Sequence, residues 1–431
     1  MSVKAVLCIF AFLGVAAATP SIPGHGHSHH CEVNSLKSFD IANGTIADIG
    51  EDPLIPFSSP KHSAINDTVW EFWFFDATTD DGDAGISIAF WRDNSHVGAD
   101  PPPLGVLRLQ TQVVFPNGTH WIETSWVAEN TVTVCKDATT GIWKKPGYEY
   151  SFKTSTNHKY TSIVLDSPTL KGTYNLTASA PPVYPDGNYW PSKHASAKVM
   201  PLVYWNAGVP SGKVNVDMDI AGTRLNFTGI GGFDRNWGVI PLFQASLGFQ
   251  YGRLAIGPYS VLFWLVGSKV DRQTYLDSVV IKSNKVVFTT KNYRVVPKKD
   301  YMLFGQTHVN DTSIPFDPTK ARTTYTVEFV SGCGGKSFKF ETDFADPEWA
   351  IHDRGFGGTI PRYVSSENVV IRFYPSQDIL ESCLVFSINT SQVIFADFSA
   401  TYSSASGGEV GGKQYTGVGN VMHAEFDPVW V

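Results

Sequence analysis

The sequence predicts a mainly β protein of two domains, on three observations. Short β-branched and aromatic runs are cut about every ten residues by turn residues, drawn from 38 Gly and 26 Pro. Long apolar stripes at i, i+3, i+4, i+7 spacing are absent. The length, 431 residues, is about three times that of an ordinary single domain. Hydrophobic residues at 42% against 17% charged suffice to bury large cores, and 28 Phe, 17 Tyr and 12 Trp make those cores aromatic. A net charge of -7, with no basic run able to track a phosphate backbone, sets nucleic acid aside as a partner.

The elements follow in chain order. Met1 to Ala18 has Lys4, an apolar stretch from Ala5 to Val15 and small residues at Ala16 and Ala18, the pattern of a cleaved secretory signal peptide. No later segment is apolar for long enough to span a bilayer. Seven sequons, at Asn43, Asn66, Asn117, Asn175, Asn226, Asn310 and Asn389, fit a secreted or lumenal glycoprotein. Without Cys8, four cysteines remain; of three possible pairings, Cys31 with Cys135 and Cys333 with Cys383 close a loop inside each half of the chain. The histidines from His25 to His30 read as a flexible terminus rather than a metal site.

Val69 to Phe75 and Gly85 to Trp91 read as a hairpin around a solvated acidic turn, Asp80 to Asp83. Strands are expected at Leu104 to Phe115, Thr119 to Val127, Tyr148 to Lys153, Ser162 to Asp166 and Gly172 to Ala178. Pro181 to Trp205, proline-rich and aromatic, breaks the alternation and ends the first domain, with the boundary near residue 210. The domains are thus 19–210 and 211–431. In the second, strands are expected at Gly212 to Asp219, Thr223 to Thr228, Tyr251 to Gly257, Ser260 to Val266, Ser278 to Ser283, Val286 to Thr290 and Thr323 to Phe329. Asp343 to Pro361 reads as a loop over a cavity mouth, and strands return at Asn368 to Phe373, Cys383 to Ile388, Gln392 to Ala400 and Gln414 to Glu425. No short repeat of fixed period is present, which removes propellers and solenoids.

The motifs of serine hydrolases, zinc proteases, dinucleotide-binding folds and phosphate-binding loops are absent. The densest chemistry lies in Gly229-Ile230-Gly231-Gly232-Phe233-Asp234-Arg235-Asn236-Trp237-Gly238, followed by Tyr251-Gly252-Arg253 and Val261 to Trp264. Its glycines suit tight turns, and Asp234 to Trp237 place four polar or aromatic functions in a row. One reading is structural: Asp234 pairs with Arg235 or Arg253, Asn236 satisfies a turn and Trp237 fills a core.

The segment also resembles the Gly-Tyr-His-Asp-(His/Lys)-Asn-Trp-Gly signature of a lipocalin-like family that includes bacterial carotenoid 1,2-hydratases and fungal pericyclases forming decalin rings. Tyr251-Gly252-Arg253 is similar to that family's following Trp-Gly-Arg strand, and the Trp70 to Phe75 and Ile86 to Trp91 pair and Tyr204-Trp205 fall where it has comparable elements. The resemblance implies an N-terminal sandwich-like unit, a C-terminal lipocalin-like barrel and a ligand pocket at their junction. The family's tyrosine and histidine align with Gly232 and Phe233, so the group suited to moving a proton in hydration is missing. With its sequons and signal peptide, the chain looks most like the fungal enzymes of tropolone-sesquiterpenoid biosynthesis, proposed to join an o-quinone methide to a humulene-type macrocycle by an intermolecular hetero-Diels-Alder reaction.

Such a cycloaddition needs no cofactor, only two small apolar substrates held in a near-attack geometry and a donor on the quinone-methide carbonyl. Arg235, Asn236, Arg253 and the Tyr204 hydroxyl are the candidate donors, with Asp234 orienting an arginine or the Asn236 turn. Trp205, Trp237 and Trp264 are candidate pocket walls, and Trp349, His352 and Arg354 are candidates to close the cavity. The alternatives are a secreted carrier of hydrophobic molecules, which predicts the same pocket without turnover, and a terpenoid hydratase or isomerase with a different general acid.

Overall fold

The computed structural model describes residues 31–44, 50–93, 105–308, 323–344, 349–354, 362–363 and 395–425. The signal peptide, Cys8, the histidine tract, Asn310, Asn389, Cys383 and the strands expected at 368–373 and 383–388 lie outside them. The first sheet contains β1 (Glu32–Lys37), β2 (Trp70–Thr79), β3 (Gly85–Asp93), β4 (Leu107–Val114), β5 (His120–Trp126), β6 (Glu129–Val134), β7 (Ala138–Lys145), β8 (Tyr148–Ser155), β9 (Tyr160–Asp166), β10 (Leu170–Ala178), β11 (Lys198–Met200), β12 (Val203–Ile220) and β13 (Thr223–Gly238). After a one-turn helix, α1 (Leu242–Ala245), the second sheet contains β14 (Ser246–Ile256), β15 (Tyr259–Ser268), β16 (Thr274–Lys282), β17 (Lys285–Thr290), β18 (Tyr301–His308), β19 (Thr323–Val330), β20 (Phe338–Phe344), β21 (Trp349–Arg354), β22 (Arg362–Tyr363), β23 (Phe395–Glu409) and β24 (Gln414–Glu425).

The first sheet runs β1-β6-β7-β8-β9-β10-β12-β13-β2-β3-β4-β5, with β11 beside β12. It folds over itself as a half-barrel, so that aromatic side chains from distant strands meet in one core. Trp143 of β7 lies 5.3 Å from Trp73 and 5.1 Å from Phe90, and Phe152 of β8 lies 5.8 Å from Phe75. A disulfide joins Cys31 to Cys135 and closes this side of the sheet, as the loop argument expected. The second sheet runs β17-β16-β15-β14-β24-β23-β20-β19-β18, a nearly closed barrel filled by Leu254, Val261, Phe263, Val280, Phe329 and Phe340. Cys333 is exposed and its thiol donates to Lys298 O, while Cys383, the other half of the second expected pairing, lies outside the described residues.

Two expectations from the sequence change. The glycine-rich signature makes no turn: β13 runs straight through it, paired to β2 from Gly229 to Gly238 and to β12 on its other edge. Its glycines serve close approach instead, since a Cβ on Gly229 would stand 2.0 Å from Thr78 O and one on Gly232 1.3 Å from the Arg253 guanidinium. The section from 343 to 361 is not wholly a loop, because Trp349–Arg354 pairs with β23. Residue 210 lies within β12, and the chain passes from the first sheet to the second between Gly238 and Ser246.

Candidate active site

Strand alternation sorts the signature onto two faces. On β13, Gly232, Asp234 and Asn236 face the second sheet, while Phe233, Arg235 and Trp237 face the interior of the first or its cap. β2 alternates likewise, with Trp70, Phe72, Phe74 and Asp76 toward the second sheet and Glu71, Trp73 and Phe75 inward. β14 and β15 answer with Phe249, Tyr251, Arg253, Leu262 and Trp264. The junction is therefore a two-sided layer between the outer face of the half-barrel and the outer wall of the barrel.

Its upper part is aromatic. Trp205, Tyr251 and Trp264 meet edge to face, with ring centroids 5.9 to 6.2 Å apart, and Phe249 joins Trp264 at 5.9 Å. Across from them Phe72 packs on Trp91 at 4.2 Å. Phe72, Phe74 and Met422 belong to this layer yet stay only partly buried, which leaves apolar surface exposed along β2 and β24. The indole N–H groups of Trp91, Trp205 and Trp264 are buried and have no acceptor among the described residues. The Asn236 side chain, 8% exposed, lies on the same face of β13. A buried, unpaired donor costs about 1–3 kcal/mol, so three in one aromatic layer mark a place built to receive an acceptor.

Below the aromatic layer is a charged network. Arg253 donates through Nη1 to Asp76 Oδ1 and through Nη2 to Asp234 Oδ2, and Tyr251 donates its hydroxyl to the same Asp234 oxygen. Asn420 Nδ2 reaches Asp76 Oδ2 at 3.0 Å, and Tyr174 donates to Asp76 O at 2.8 Å. All six side chains are buried. Burial pushes the Asp234 carboxyl up to about 6 against the downward pull of Arg253. Burial disfavours the Arg253 cation, but Asp234 and Asp76 together raise it well above its ordinary value. Gly232 is part of this device, because only a missing side chain leaves room for the guanidinium.

Arg235, Tyr204 and Trp237 lie on the other face. Arg235 pairs with Glu71 at 2.7 Å, donates to Phe57 O, Ser59 O and Phe72 O, and covers the Trp73 ring at 3.7 Å. Glu71 also pairs with Arg92 at 3.2 Å. Burial lowers Arg235 to about 10, with Glu71 opposing. Tyr204 stacks on Trp237 at 5.5 Å and donates to Glu51. The structure thus brings Asp234, Asn236, Arg253, Trp205 and Trp264 together and sets Arg235, Tyr204 and Trp237 apart as packing and ion pairing under the 50–62 segment. Trp349, His352 and Arg354 lie on β21, opposite Ala400, Asp397 and Phe395 of β23.

Reading the signature alone missed Asp76, Phe72, Phe74, Trp91, Tyr251's hydroxyl, Asn420 and Met422. The signal for the first three was present: in Trp70 to Asp76 a period of two places Phe72, Phe74 and Asp76 on one face, and a carboxylate on an aromatic strand face needs a buried cation. At the far end of the junction is an open groove of about 1070 Å³, lined by Asp80, Asp81, Ser211, Lys213, Tyr259 and Glu341 among others. Its lining mixes these groups with Ala180, Ile230, Ile281 and Val418, whereas the facing walls of the layer above are aromatic rings.

The chain matches the family model described as Diels-Alderase-like over residues 28–360. It is 30% identical over 341 residues to Diels-Alderase cheD of Chaetomium globosum, covering 78% of this chain and 79% of that one. It is 28% identical over 321 residues to Diels-Alderase poxQ of Penicillium oxalicum, covering 74% and 70%. The crystal structure of CghA with Sch210972 superposes with a TM-score of 0.67 at 18% identity, over 92% of this chain and 99% of that one, and shares the fold. The chain belongs to the Diels-Alderase-like family.

Proposed function

We propose that this protein catalyses an intermolecular hetero-Diels-Alder cycloaddition between an o-quinone methide of tropolone type and a humulene-type sesquiterpene. Family membership supports the coarser part, a pericyclase of secondary metabolism. The observation that carries the finer part is the set of unpaired buried donors, the Trp91, Trp205 and Trp264 indoles, in the aromatic layer of the junction. A macrocyclic hydrocarbon needs only a dry aromatic wall, and a heterodiene carbonyl needs a donor that gains strength as charge develops on oxygen. Holding both partners in register supplies at most about 7–11 kcal/mol of the barrier without any cofactor chemistry.

A secretory location is part of the same proposal. The Cys31–Cys135 disulfide suits an oxidising compartment, and Asn43, Asn117, Asn175 and Asn226 are exposed. The test is to incubate the purified protein with a humulenol-type alkene and an o-quinone-methide precursor, and to follow the adducts by chiral chromatography against a protein-free control. One stereoisomer forming faster supports the cycloaddase. Unchanged rate and stereochemistry with the alkene tightly bound makes the protein a carrier. Trp205→Phe and Trp264→Phe, which keep the ring and remove the N–H, are expected to lower kcat/KM about tenfold each.

A further inference from the structure

We infer that Asp234 is the acid of this site: protonated on Oδ1, its carboxyl donates a hydrogen bond to the carbonyl oxygen of the bound heterodiene. The inference rests on the junction being the reaction site. It begins from a charge count. Two carboxylates, Asp76 and Asp234, face one guanidinium, Arg253, and all three side chains are at most 4% exposed. One negative charge is left over in a layer walled by Ala207, Phe74 and Tyr251, where an unpaired charge is expensive. A retained proton removes it.

The hydrogen bonds say where that proton sits. Asp76 has both oxygens engaged, Oδ1 by Arg253 and Oδ2 by Asn420 Nδ2 at 3.0 Å. Asp234 Oδ2 accepts from Arg253 and Tyr251, whereas Asp234 Oδ1 is buried and has no partner among the described residues. Arg253 Nε and Asn420 Oδ1 are the other unpartnered atoms of the network. The groups facing Asp234 are therefore Asp76 on β2, Tyr251 and Arg253 on β14 and Asn420 on β24, while its neighbour on β12, Ala207, is apolar. Arg235, next in sequence, is held on the opposite face by Glu71. An O–H on Oδ1 is a donor lacking only its acceptor, on the same face as the indole of Trp205.

The chemistry balances without further reagents. The cycloaddition forms one C–C and one C–O bond at the expense of π bonds, no atom leaves, and the proton stays on Asp234 throughout. The hydrogen bond withdraws density from the heterodiene and tightens as charge moves onto oxygen. The upward displacement of the Asp234 carboxyl agrees with a group that holds a proton in mildly acidic medium.

The experiment measures the initial rate from pH 4.5 to 7.5, less the protein-free rate, for the wild-type protein, Asp234→Asn and Asp76→Asn. The wild-type rate is expected to fall up to about tenfold per pH unit above about 6. Asp234→Asn, which keeps a partner for Arg253 in Asp76 and places an amide donor at the Oδ1 position, is expected to be about tenfold slower at pH 5 and flat across the range. In Asp76→Asn the guanidinium faces Asp234 alone, Asp234 ionises more readily, and the same limb moves to lower pH. A flat wild-type profile, or an unchanged limb in both variants, overturns the inference. Stereoselective turnover by the wild-type protein in that case leaves the junction reading standing, whereas no rate enhancement at any pH removes that reading first.

Discussion

Alanine at position 232 is expected to destabilise the protein nearly as much as removal of Arg253 itself. A Cβ there would stand 1.3 Å from Arg253 Nη1, 2.2 Å from Cζ and 2.7 Å from Nε, so the whole guanidinium has to leave its place between Asp76 and Asp234. The backbone has no room to yield instead, because Gly231 and Gly229 already stand against Asp76 O and Thr78 O on the paired strand. Displacing one member of a buried ion cluster costs about 3–5 kcal/mol, and the abandoned carboxylates then take up protons. Arg253→Met makes the same loss by another route. The assay is urea unfolding at pH 7 of the two single variants and the double variant, read as the change in midpoint at constant slope. Because both changes remove one interaction, the double variant is expected to match Arg253→Met rather than the sum. A stable Gly232→Ala, or strictly additive costs, refutes the view that the glycine exists to admit the arginine.

Other expectations concern the rest of the molecule. Burial opposes ionisation of Glu71, but Arg235 and Arg92 hold it below its ordinary 4.5; its contribution is present above that pH and is lost as pH falls through the lowered value. Glu71→Gln is expected to lower stability at pH 7 by about 3–5 kcal/mol and to flatten the acid limb of the urea midpoint, and an unchanged limb counts against the pairing. Asp234 acts with the opposite sign: raised from 3.8 to about 6, it contributes stability below 3.8 that is lost as pH rises through 6, and Asp234→Asn removes that decline from the midpoint-against-pH curve. Cys31→Ser opens a loop of 104 residues and is expected to cost about 2–5 kcal/mol, with reduction of the wild-type protein matching it. Peptide mapping after glycosidase treatment is expected to find glycans at the exposed Asn43, Asn117, Asn175 and Asn226 and none at Asn66, whose amide donates to Gly44 O and accepts from Thr68 N and Val69 N.

Much of the fold was legible because strands announce themselves by alternation and by the residues that interrupt them. The hairpin of β2 and β3 and the final strand, Gln414–Glu425, fall where the sequence places them. β1, β6 and β7 were not legible, since they are short, largely polar on one face and held by partners distant in sequence: β1 pairs with β6 about a hundred residues away. The signature was legible as a site but not as a strand. Glycine reads as a turn in one dimension, and only the neighbouring strand and Arg253 show that the missing Cβ makes space. The pairing of Asp234 with Arg253 rather than Arg235 follows once β13 is extended, because adjacent residues on a strand point to opposite faces. The donors in the aromatic layer were half visible: Trp205 and Trp264 carry their own signal, but their unpaired N–H groups belong to packing between two sheets and have no trace in sequence.

The account stands on where the reactants sit, and the most direct measurement is a crystal structure of the protein with its stable cycloadduct. The adduct is expected in the junction, its hydrocarbon ring against Phe72, Phe74 and Met422 and its oxygen within hydrogen-bond distance of the Trp205 or Trp264 indole or of Asp234 Oδ1. An adduct bound in the groove beside Tyr259 and Glu341, with the junction closed, would contradict it.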